Sequence, residues 1–211
     1  MNIRGKYIAI EGLKGAGKST QIKKLCEILA DNHIVYSVIS PTAITNKNSI
    51  VEILYSKYKW LQNKSFSRAL LYSYRAIAAQ KKANWNAHLI LGDRSIVTSY
   101  ITRWRKWINS PLLTIIFVNI LQPFIKSPDI IIYIEVPIET LEGRLRKRGV
   151  SDIDSTTNRL QEMDLAYKEI VNTYKIRKLR NTKWISIKGD TTEENVSKEL
   201  YNIIIENIII P

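Results

Sequence analysis

The stretch Gly12-Leu13-Lys14-Gly15-Ala16-Gly17-Lys18-Ser19 decides the fold of this chain, because it fits the phosphate-binding pattern G-x-x-x-x-G-K-[ST]. An apolar run at Tyr7–Glu11 precedes it and is predicted to be a strand. Apolar residues at helical spacing follow it over Lys18–Asn32. A strand, a glycine-rich turn and a helix N-terminus direct several backbone N–H groups at one anion. The pattern therefore predicts a site for the phosphates of a nucleoside triphosphate.

Two side chains of this loop add a charge and a metal ligand to the backbone donors. Lys18 is predicted to bind the β and γ phosphates, and the hydroxyl of Ser19 is a candidate ligand for Mg²⁺. The residues expected to surround the triphosphate are Gly12, Leu13, Lys14, Gly15, Ala16, Gly17, Lys18, Ser19 and Thr20. A chance match of a glycine-rich turn is the alternative, and the flanking strand and helix argue against it.

The composition favours an enzyme that acts on anions. The chain has 211 residues and a net charge of +13, from 32 Lys and Arg against 19 Asp and Glu. The basic residues are dispersed and no nucleic-acid-binding module is recognisable, so polyanionic small molecules are favoured over nucleic acid as partners. We expect a single domain over residues 1–211. The one cysteine, Cys26, excludes an intramolecular disulfide and is predicted to be packed.

Hydropathy predicts a soluble, cytoplasmic protein without a membrane partner. The N-terminus is expected to enter a core strand after a few residues, which is unlike a signal peptide. The apolar stretch from Pro111 to Ile125 is too short and too polar to span a bilayer. The isoleucine triplets at 203–205 and 208–210 are split by polar residues and are predicted to be buried helix faces.

Strands and helices are predicted to alternate along the whole chain. The predicted strands are Tyr7–Glu11, Ile34–Ile39, Leu89–Gly92, Ile130–Val136 and Trp184–Ile187. The predicted helices are Lys18–Asn32, Ser49–Lys59, Ser65–Trp85, Ile96–Trp107, Leu112–Lys126, Ile138–Lys147, Asn158–Lys178 and Glu193–Asn207. The strands are nearly continuous apolar runs, as in a parallel sheet that is covered on both faces. This predicts a three-layer α/β P-loop NTPase fold, with a five-stranded parallel sheet flanked by helices.

Candidate catalytic residues follow the predicted strands and helices. Asp93 and Arg94 end the third strand, where a carboxylate can organise Mg²⁺ and an arginine can bind an acceptor phosphate; a structural ion pair is the alternative. Arg144, Arg146 and Arg148 form a basic cluster, which indicates a lid at about residues 143–157 that closes over the transferred phosphate. A solvated helix end is the other interpretation of that cluster.

Arg75 lies in a predicted helix that is rich in small and aromatic residues. With Tyr72 nearby it could hold an acceptor and stack on its base, whereas the alternative is an arginine on the exposed face of an ordinary amphipathic helix. The pattern leaves both interpretations open.

Taken together, these segments resemble the thymidylate kinase family of P-loop nucleoside monophosphate kinases. Glu11–Gln21 is close to that family's opening pattern, Leu70–Gln80 is similar to its acceptor-binding helix, and Gly92-Asp93-Arg94 matches its D-R motif. The Arg144–Arg148 cluster looks like its lid. The resemblance implies transfer from ATP to dTMP with Mg²⁺ and a homodimer. It also implies that Arg75 and Arg94 bind the acceptor, and that the lid arginines act on the transferred phosphate.

Several positions that contact the acceptor in this family differ here. Lys14 stands where the family has an acid, and Ile39-Ser40-Pro41 replaces an R-E-P pattern. By alignment on Arg75, the position of the base-stacking aromatic is Leu71, with Tyr72 one place off. Ser95 and Arg103 stand where a tyrosine and a glutamine are expected.

Two alternatives remain open from the sequence. Deoxynucleoside kinases have a similar Asp93-Arg94-Ser95 motif and lid, but they carry a general base after the second strand, where this chain has Ser40, Pro41 and Thr42. A monophosphate acceptor is already ionised and needs no such base, so it is favoured. A non-catalytic nucleotide-binding paralogue is the second alternative.

Overall fold

Five parallel strands form the central sheet of the computed structural model, which describes residues 5–44, 46–104, 110–150, 153–172 and 176–208. The strands are β1 (Lys6–Gly12), β2 (Tyr36–Ile39), β3 (Leu89–Asp93), β4 (Ile130–Glu135) and β5 (Lys183–Lys188). Their order in the sheet is β2-β3-β1-β4-β5, and every neighbouring pair is parallel. The predicted five-stranded parallel sheet is confirmed.

Helices occupy the connections between the strands. They are α1 (Lys18–Asp31), α2 (Ile50–Lys57), α3 (Lys59–Asn63), α4 (Ser65–Lys82), α5 (Ile96–Ile101), α6 (Pro111–Leu121), α7 (Ile138–Lys147), α8 (Thr157–Val171) and α9 (Glu193–Asn207). Short 3-10 turns lie at Ile153–Ser155 and Arg177–Leu179. The alternation of strands and helices is therefore as the sequence predicts.

Two predicted helices end differently from expectation. The prediction of one helix over Ser49–Lys59 is wrong, because the extended backbone of Tyr58 (φ −104°, ψ 95°) separates α2 from α3. The helix predicted over Leu112–Lys126 stops at Leu121. Pro123 follows two residues later, and proline disfavours helical backbone in the residue before it.

Some predicted segments extend beyond the described residues. The helix predicted over Ile96–Trp107 is described as α5 and the turn after it, and residues 105–109 lie outside the description. The helix predicted over Asn158–Lys178 ends at Val171, and residues 173–175 lie outside. Residues 151–152 of the predicted lid and 209–210 of the last isoleucine triplet also lie outside.

The sheet buries both of its faces, which explains why its strands are continuously apolar. Ile8 and Ile10 of β1 belong to one hydrophobic cluster, together with Leu25 of α1, whereas Tyr7 and Ala9 belong to another. Successive residues of a strand face opposite sides, so an unbroken apolar run requires cover on both. Each fully buried isoleucine side chain contributes roughly 1.5–3 kcal/mol to folding.

The register of the strands places the phosphate-binding loop at the carboxyl ends of the central strands. Ile10 of β1 pairs with Asp93 of β3, and Gly12 of β1 pairs with Ile134 of β4. The loop after β1 and the residues after β3 therefore lie side by side. They lie beyond the carboxyl ends of the strands, where parallel sheets bind ligands. In the described part of the chain, no helix is long and apolar enough to cross a membrane.

Candidate active site

The loop between β1 and α1 presents backbone donors to a ligand. Gly15 and Gly17 have positive φ angles of 90° and 93°, which L side chains rarely adopt. Gly17 is also the N-cap residue of α1, so no side chain there occupies the first N–H groups of the helix. These N–H groups, at the positive end of the helix dipole, suit a phosphate group.

Lys18 is a buried cation beneath the loop. The residue is 5% exposed, and its Nζ donates a hydrogen bond of 2.7 Å to the carbonyl of Leu13. Burial holds the pKa of Lys18 well below its ordinary value, and the nearby guanidinium of Arg94 lowers it further, while the carboxylates of Glu11 and Asp93 act in the opposite direction. A phosphate ligand would supply negative charge where this ammonium has lost its water.

The predicted metal ligands lie next to each other. The hydroxyl Oγ of Ser19 donates to Oδ2 of Asp93 at 3.4 Å. A hydroxyl and a carboxylate are hard oxygen ligands of the kind that Mg²⁺ prefers. The described residues contain no cluster of three or more His, Cys, Asp or Glu side chains that could hold a metal by themselves. The chemistry of Ser19 and Asp93 fits Mg²⁺, which in proteins commonly keeps several waters and is held by one or two carboxylates together with substrate phosphates.

A buried carboxylate that sequence reasoning missed connects three elements behind the loop. Glu11 is fully buried, and its Oε1 accepts hydrogen bonds of 2.8 Å from both the backbone N–H and the hydroxyl of Ser95. Its Oε2 accepts from Thr98 at 3.0 Å and from the hydroxyl of Tyr167 at 2.9 Å. Burial raises the pKa of Tyr167 well above its ordinary value, so this hydroxyl remains a donor. The sequence signal for Glu11 was an acid inside an apolar strand.

One cavity, of about 370 Å³, opens beside the loop next to α5, and we call it the α5 cavity. Its walls come from the loop, the segments after β2 and β3, α4, α5, the turn at Ile153–Ser155, and α8. The lining residues are Lys14, Pro41, Thr42, Tyr72, Arg94, Ser95, Thr98, Ser99, Thr102, Arg103, Asp154 and Met163. The structure thus brings four residues of the predicted nucleotide sites to one cavity, namely Lys14, Tyr72, Arg94 and Arg103.

Two residues that were predicted to bind the acceptor do not line this cavity. Leu71 is 3% exposed and belongs to the core, and its neighbour Tyr72 lies on the cavity wall instead. Arg75 donates from Nε and Nη2 to the two carboxylate oxygens of Glu52 at 2.7 and 2.8 Å, and from Nη1 to the carbonyl of Thr42 at 3.2 Å. Sequence reasoning missed Glu52, since no motif marks a buried acid in α2 as a partner for Arg75.

A second cavity, of about 220 Å³, lies between the loop and the end of α7, and we call it the α7 cavity. The lining residues are Gly15, Ala16, Gly17, Thr20, Gln21, Arg144, Arg148, Gly189, Thr191, Glu193 and Val196. Arg144 bridges its two sides, because Nη2 donates to the carbonyl of Gly189 at 2.9 Å and Nη1 to that of Gly15 at 3.4 Å. Arg146 is exposed and does not line this cavity.

Two cavities that share one phosphate-binding loop, each with arginine on its wall, suit the transfer of a phosphoryl group between two bound ligands. The fold and the site thus define a P-loop phosphotransferase. A model of the thymidylate kinase family matches residues 10–200. The chain belongs to the thymidylate kinase family, as the sequence motifs predict.

Similar proteins support this membership. The thymidylate kinase of Blochmanniella floridana is 26% identical over 184 residues, which are 82% of this chain and 81% of that protein. The probable thymidylate kinase of Methanococcus aeolicus is 27% identical over 207 residues, which are 97% of this chain and 98% of that protein. The solved structure of thymidylate kinase from Candida albicans is similar in fold, with a TM-score of 0.69 at 18% identity over 97% of this chain and 92% of that chain.

Proposed function

We propose that this chain catalyses the phosphorylation of dTMP by ATP, which yields dTDP and ADP. The observation that carries the proposal is the shared loop, because Gly15 lines the α7 cavity and Lys14 lines the α5 cavity. The phosphates of a nucleotide bound at the α7 cavity would lie at the loop, next to a ligand bound in the α5 cavity. Membership of the thymidylate kinase family supports ATP as the donor and dTMP as the acceptor.

The loop and its neighbours hold the donor in this mechanism. The N–H groups of the loop and the ammonium of Lys18 bind and orient the phosphates of ATP. Ser19 and Asp93 are the residues that would hold Mg²⁺. When bound, Mg²⁺ supplies positive charge that neutralises the phosphate oxygens.

A monophosphate fits the α5 cavity better than an uncharged nucleoside does. Lys14, Arg94 and Arg103 bring three cations to its wall, and Asp154 is the one carboxylate among its described lining residues. Arg94 is the proposed ligand of the acceptor phosphate, because it lies close enough to Lys18 to affect the pKa of that lysine. The acceptor is already ionised, so this site needs to position it rather than remove a proton.

Arg144, Arg146 and Arg148 are the proposed lid cations. Arg144 and Arg148 line the α7 cavity, where they can contact bound ATP. Arg146 lies on the exposed side of α7 and would approach the phosphates when the lid closes. Closure would also exclude water from the transferred phosphoryl group.

A cytoplasmic homodimer is part of the proposal. The rings of Phe66 on α4 and Phe117 on α6 are in contact, with centroids 5.9 Å apart. Leu70, Ile116 and Ile120 on the same two helices are 43%, 46% and 70% exposed. Exposed apolar side chains grouped on two helices are characteristic of protein interfaces, and the family resemblance implies a second copy of this chain as the partner.

The test is an assay of ADP release with Mg-ATP and a panel of acceptors: dTMP, dUMP, the other nucleoside monophosphates, and thymidine. We expect turnover with dTMP and none with thymidine. Lys18→Met serves as the inactive control, with kcat reduced about 10²–10³-fold. Turnover with thymidine but not dTMP would favour a nucleoside kinase. Tight ATP binding without ADP release for any acceptor would contradict catalysis altogether.

A further inference from the structure

The segments that lead into the strands carry more than half of the net charge of +13. Parallel strands all begin at the same end of the sheet, so these segments lie opposite the phosphate-binding loop. In the described segments 81–88, 122–129 and 176–183, and at the first residue of β1, the cations are Lys6, Lys81, Lys82, Lys126, Arg177, Lys178, Arg180 and Lys183. The one acid in these segments is Asp129, whose carboxylate accepts from the backbone N–H of Tyr7 at 2.8 Å. The fold thus gathers charges that are dispersed along the sequence, and we call this end of the molecule the basic face.

Contacts between these segments make the basic face continuous. The side chain of Gln80, at the end of α4, bonds to the backbone N–H and carbonyl of Lys126 at 2.8 and 2.9 Å. The ammonium of Lys178 donates to the carbonyl of Pro123 at 3.0 Å. The segment before β4 therefore contacts both the end of α4 and the turn that precedes β5.

One apolar side chain protrudes from the basic face. Phe124 is 93% exposed and lies two residues before Lys126. The other aromatic side chain of these segments, Trp85, is half-buried, with Nζ of Lys126 3.7 Å from its ring centroid and the ring of Tyr7 against it. Within the three segments, Phe124 is thus the aromatic ring that is open to a partner.

We propose that the basic face binds the surface of an anionic membrane, with Phe124 inserted between the lipid headgroups. Clusters of Lys and Arg attract anionic lipids, and stable attachment requires a second signal, such as an apolar anchor. Single-stranded nucleic acid is the alternative polyanion, but it is ordinarily held by several open aromatic rings along a groove. The hydropathy of the sequence argues against a segment that spans a membrane, and it does not bear on binding at the membrane surface.

Binding in this orientation leaves the active site accessible. Neither the α5 cavity nor the α7 cavity is lined by a residue of the basic face, and the phosphate-binding loop lies at the opposite ends of the strands. Substitutions on the basic face should therefore leave the affinity for ATP unchanged. The inference goes beyond the proposed function and does not depend on it.

The experiment measures co-sedimentation of the whole chain with vesicles of phosphatidylcholine, with and without about 30% phosphatidylserine. The wild type should bind the vesicles with phosphatidylserine at least about tenfold more strongly, and about 0.5 M salt should release it. The double variant Arg177→Gln/Arg180→Gln should bind about tenfold more weakly, because each cation near an anionic surface contributes about fivefold to partitioning. Phe124→Ser should also bind about tenfold more weakly, because it removes the apolar anchor.

Matched variants elsewhere control for a general loss of charge or of apolar surface. Lys23→Gln/Lys198→Gln removes two exposed cations from α1 and α9, and Leu165→Ser removes a side chain of α8 that is 59% exposed. Both should bind vesicles as the wild type does. Circular dichroism and ATP affinity verify that each variant is folded, and light scattering reports its oligomeric state.

The possible outcomes differ clearly. Equal binding to the two kinds of vesicle, or binding to neither, overturns the proposal, and so does an equal loss in the control variants. A single-stranded oligonucleotide that binds through Arg177 and Arg180, without vesicle binding, assigns the basic face to nucleic acid instead. A changed oligomeric state in Phe124→Ser assigns that side chain to an interface between two copies and overturns its role as an anchor. Turnover of dTMP enters none of these results, so they are independent of the test of the proposed function.

Discussion

Glu11 shows how much of this site depends on a residue that would contact neither ligand. Its carboxylate accepts from Ser95 and Thr98, which follow β3, and from Tyr167 in α8. Next to Ser95, Arg94 has a positive φ of 76°, an uncommon backbone conformation for a residue other than glycine. We infer that Glu11 holds the segment after β3 in the conformation that directs Arg94 to the cavity.

Glu11→Gln should impair the acceptor side of the reaction more than the donor side. Glutamine offers one acceptor oxygen in place of two, so part of the network is lost, at about 1.5–3 kcal/mol per bond to a charged group. We expect a lower free energy of unfolding in urea, a raised KM for dTMP and a nearly unchanged KM for ATP. Tyr167→Phe, which removes one of these bonds, is the milder matched variant. Equal increases in both KM values would refute the positioning role.

The ion pair between Glu52 and Arg75 is predicted to be structural. The side chains are 7% and 13% exposed, and removing one partner of a buried pair leaves the other charge unpaired. Glu52→Gln should therefore reduce the free energy of unfolding by about 3 kcal/mol. A double-mutant cycle with Arg75→Met measures the coupling. Additive effects of the two substitutions would show that the pair contributes no coupling.

At the scale of single residues, the sequence predicted the site residues that belong to local motifs. It missed residues whose partners are far away in the sequence. Lys18, Ser19 and Asp93 are marked by their place at strand ends and in the loop. Glu52 is 23 positions from Arg75, and such a pairing follows only from the packing of α2 against α4. The half-buried position of Cys26 was predictable, because its helical spacing places it beside the core.

The helix α7, which carries the predicted lid arginines, packs directly against the phosphate-binding loop. A Cβ atom on Gly15 would lie 3.3 Å from Cγ of Leu145, so the helix approaches the loop closely because Gly15 has no side chain. Arg144, on the same helix, bonds to the carbonyl of Gly15. The two sides of the α7 cavity are thus held together by side chains of one helix.

Substitutions in α7 should separate binding from catalysis. Arg144→Ala removes the bridge between the loop and Gly189, so we expect the KM for ATP to rise about tenfold with a smaller effect on kcat. Arg146→Ala should lower kcat and leave the KM for ATP nearly unchanged, because Arg146 is exposed in this structure. Steady-state kinetics with dTMP measures both. Unchanged kcat in all three single variants, at 144, 146 and 148, would remove the lid arginines from the mechanism.

At the scale of elements, periodicity identified the strands well and located the helix ends poorly. Buried parallel strands such as β4 are continuous apolar runs with sharp boundaries. No glycine or proline lies near the break at Tyr58, so the local sequence does not predict that α2 and α3 are separate helices.

We expect the exposed apolar side chains of α4 and α6 to determine the oligomeric state of the protein in solution. Ile120→Glu places a charge among these side chains, at a position that is 70% exposed, so the folding of the monomer should be little affected. We expect a dimer for the wild type and a monomer for the variant in light scattering after size exclusion. Lys198→Glu, at an exposed position on α9, is the matched control and should remain dimeric. A monomeric wild type at micromolar concentration would contradict the interface.

Because one loop separates the two cavities, we expect the binding affinities of their ligands to be linked. Lys14 and Gly15 are consecutive residues that line different cavities, so we expect a ligand bound at one cavity to affect the other through the loop. Linkage then requires reciprocity: the factor by which one nucleotide raises or lowers the affinity for its partner must be the same in both directions. Where such coupling exists, one coupling factor therefore relates the affinity for each ligand in the absence of the other ligand to the affinity in its presence.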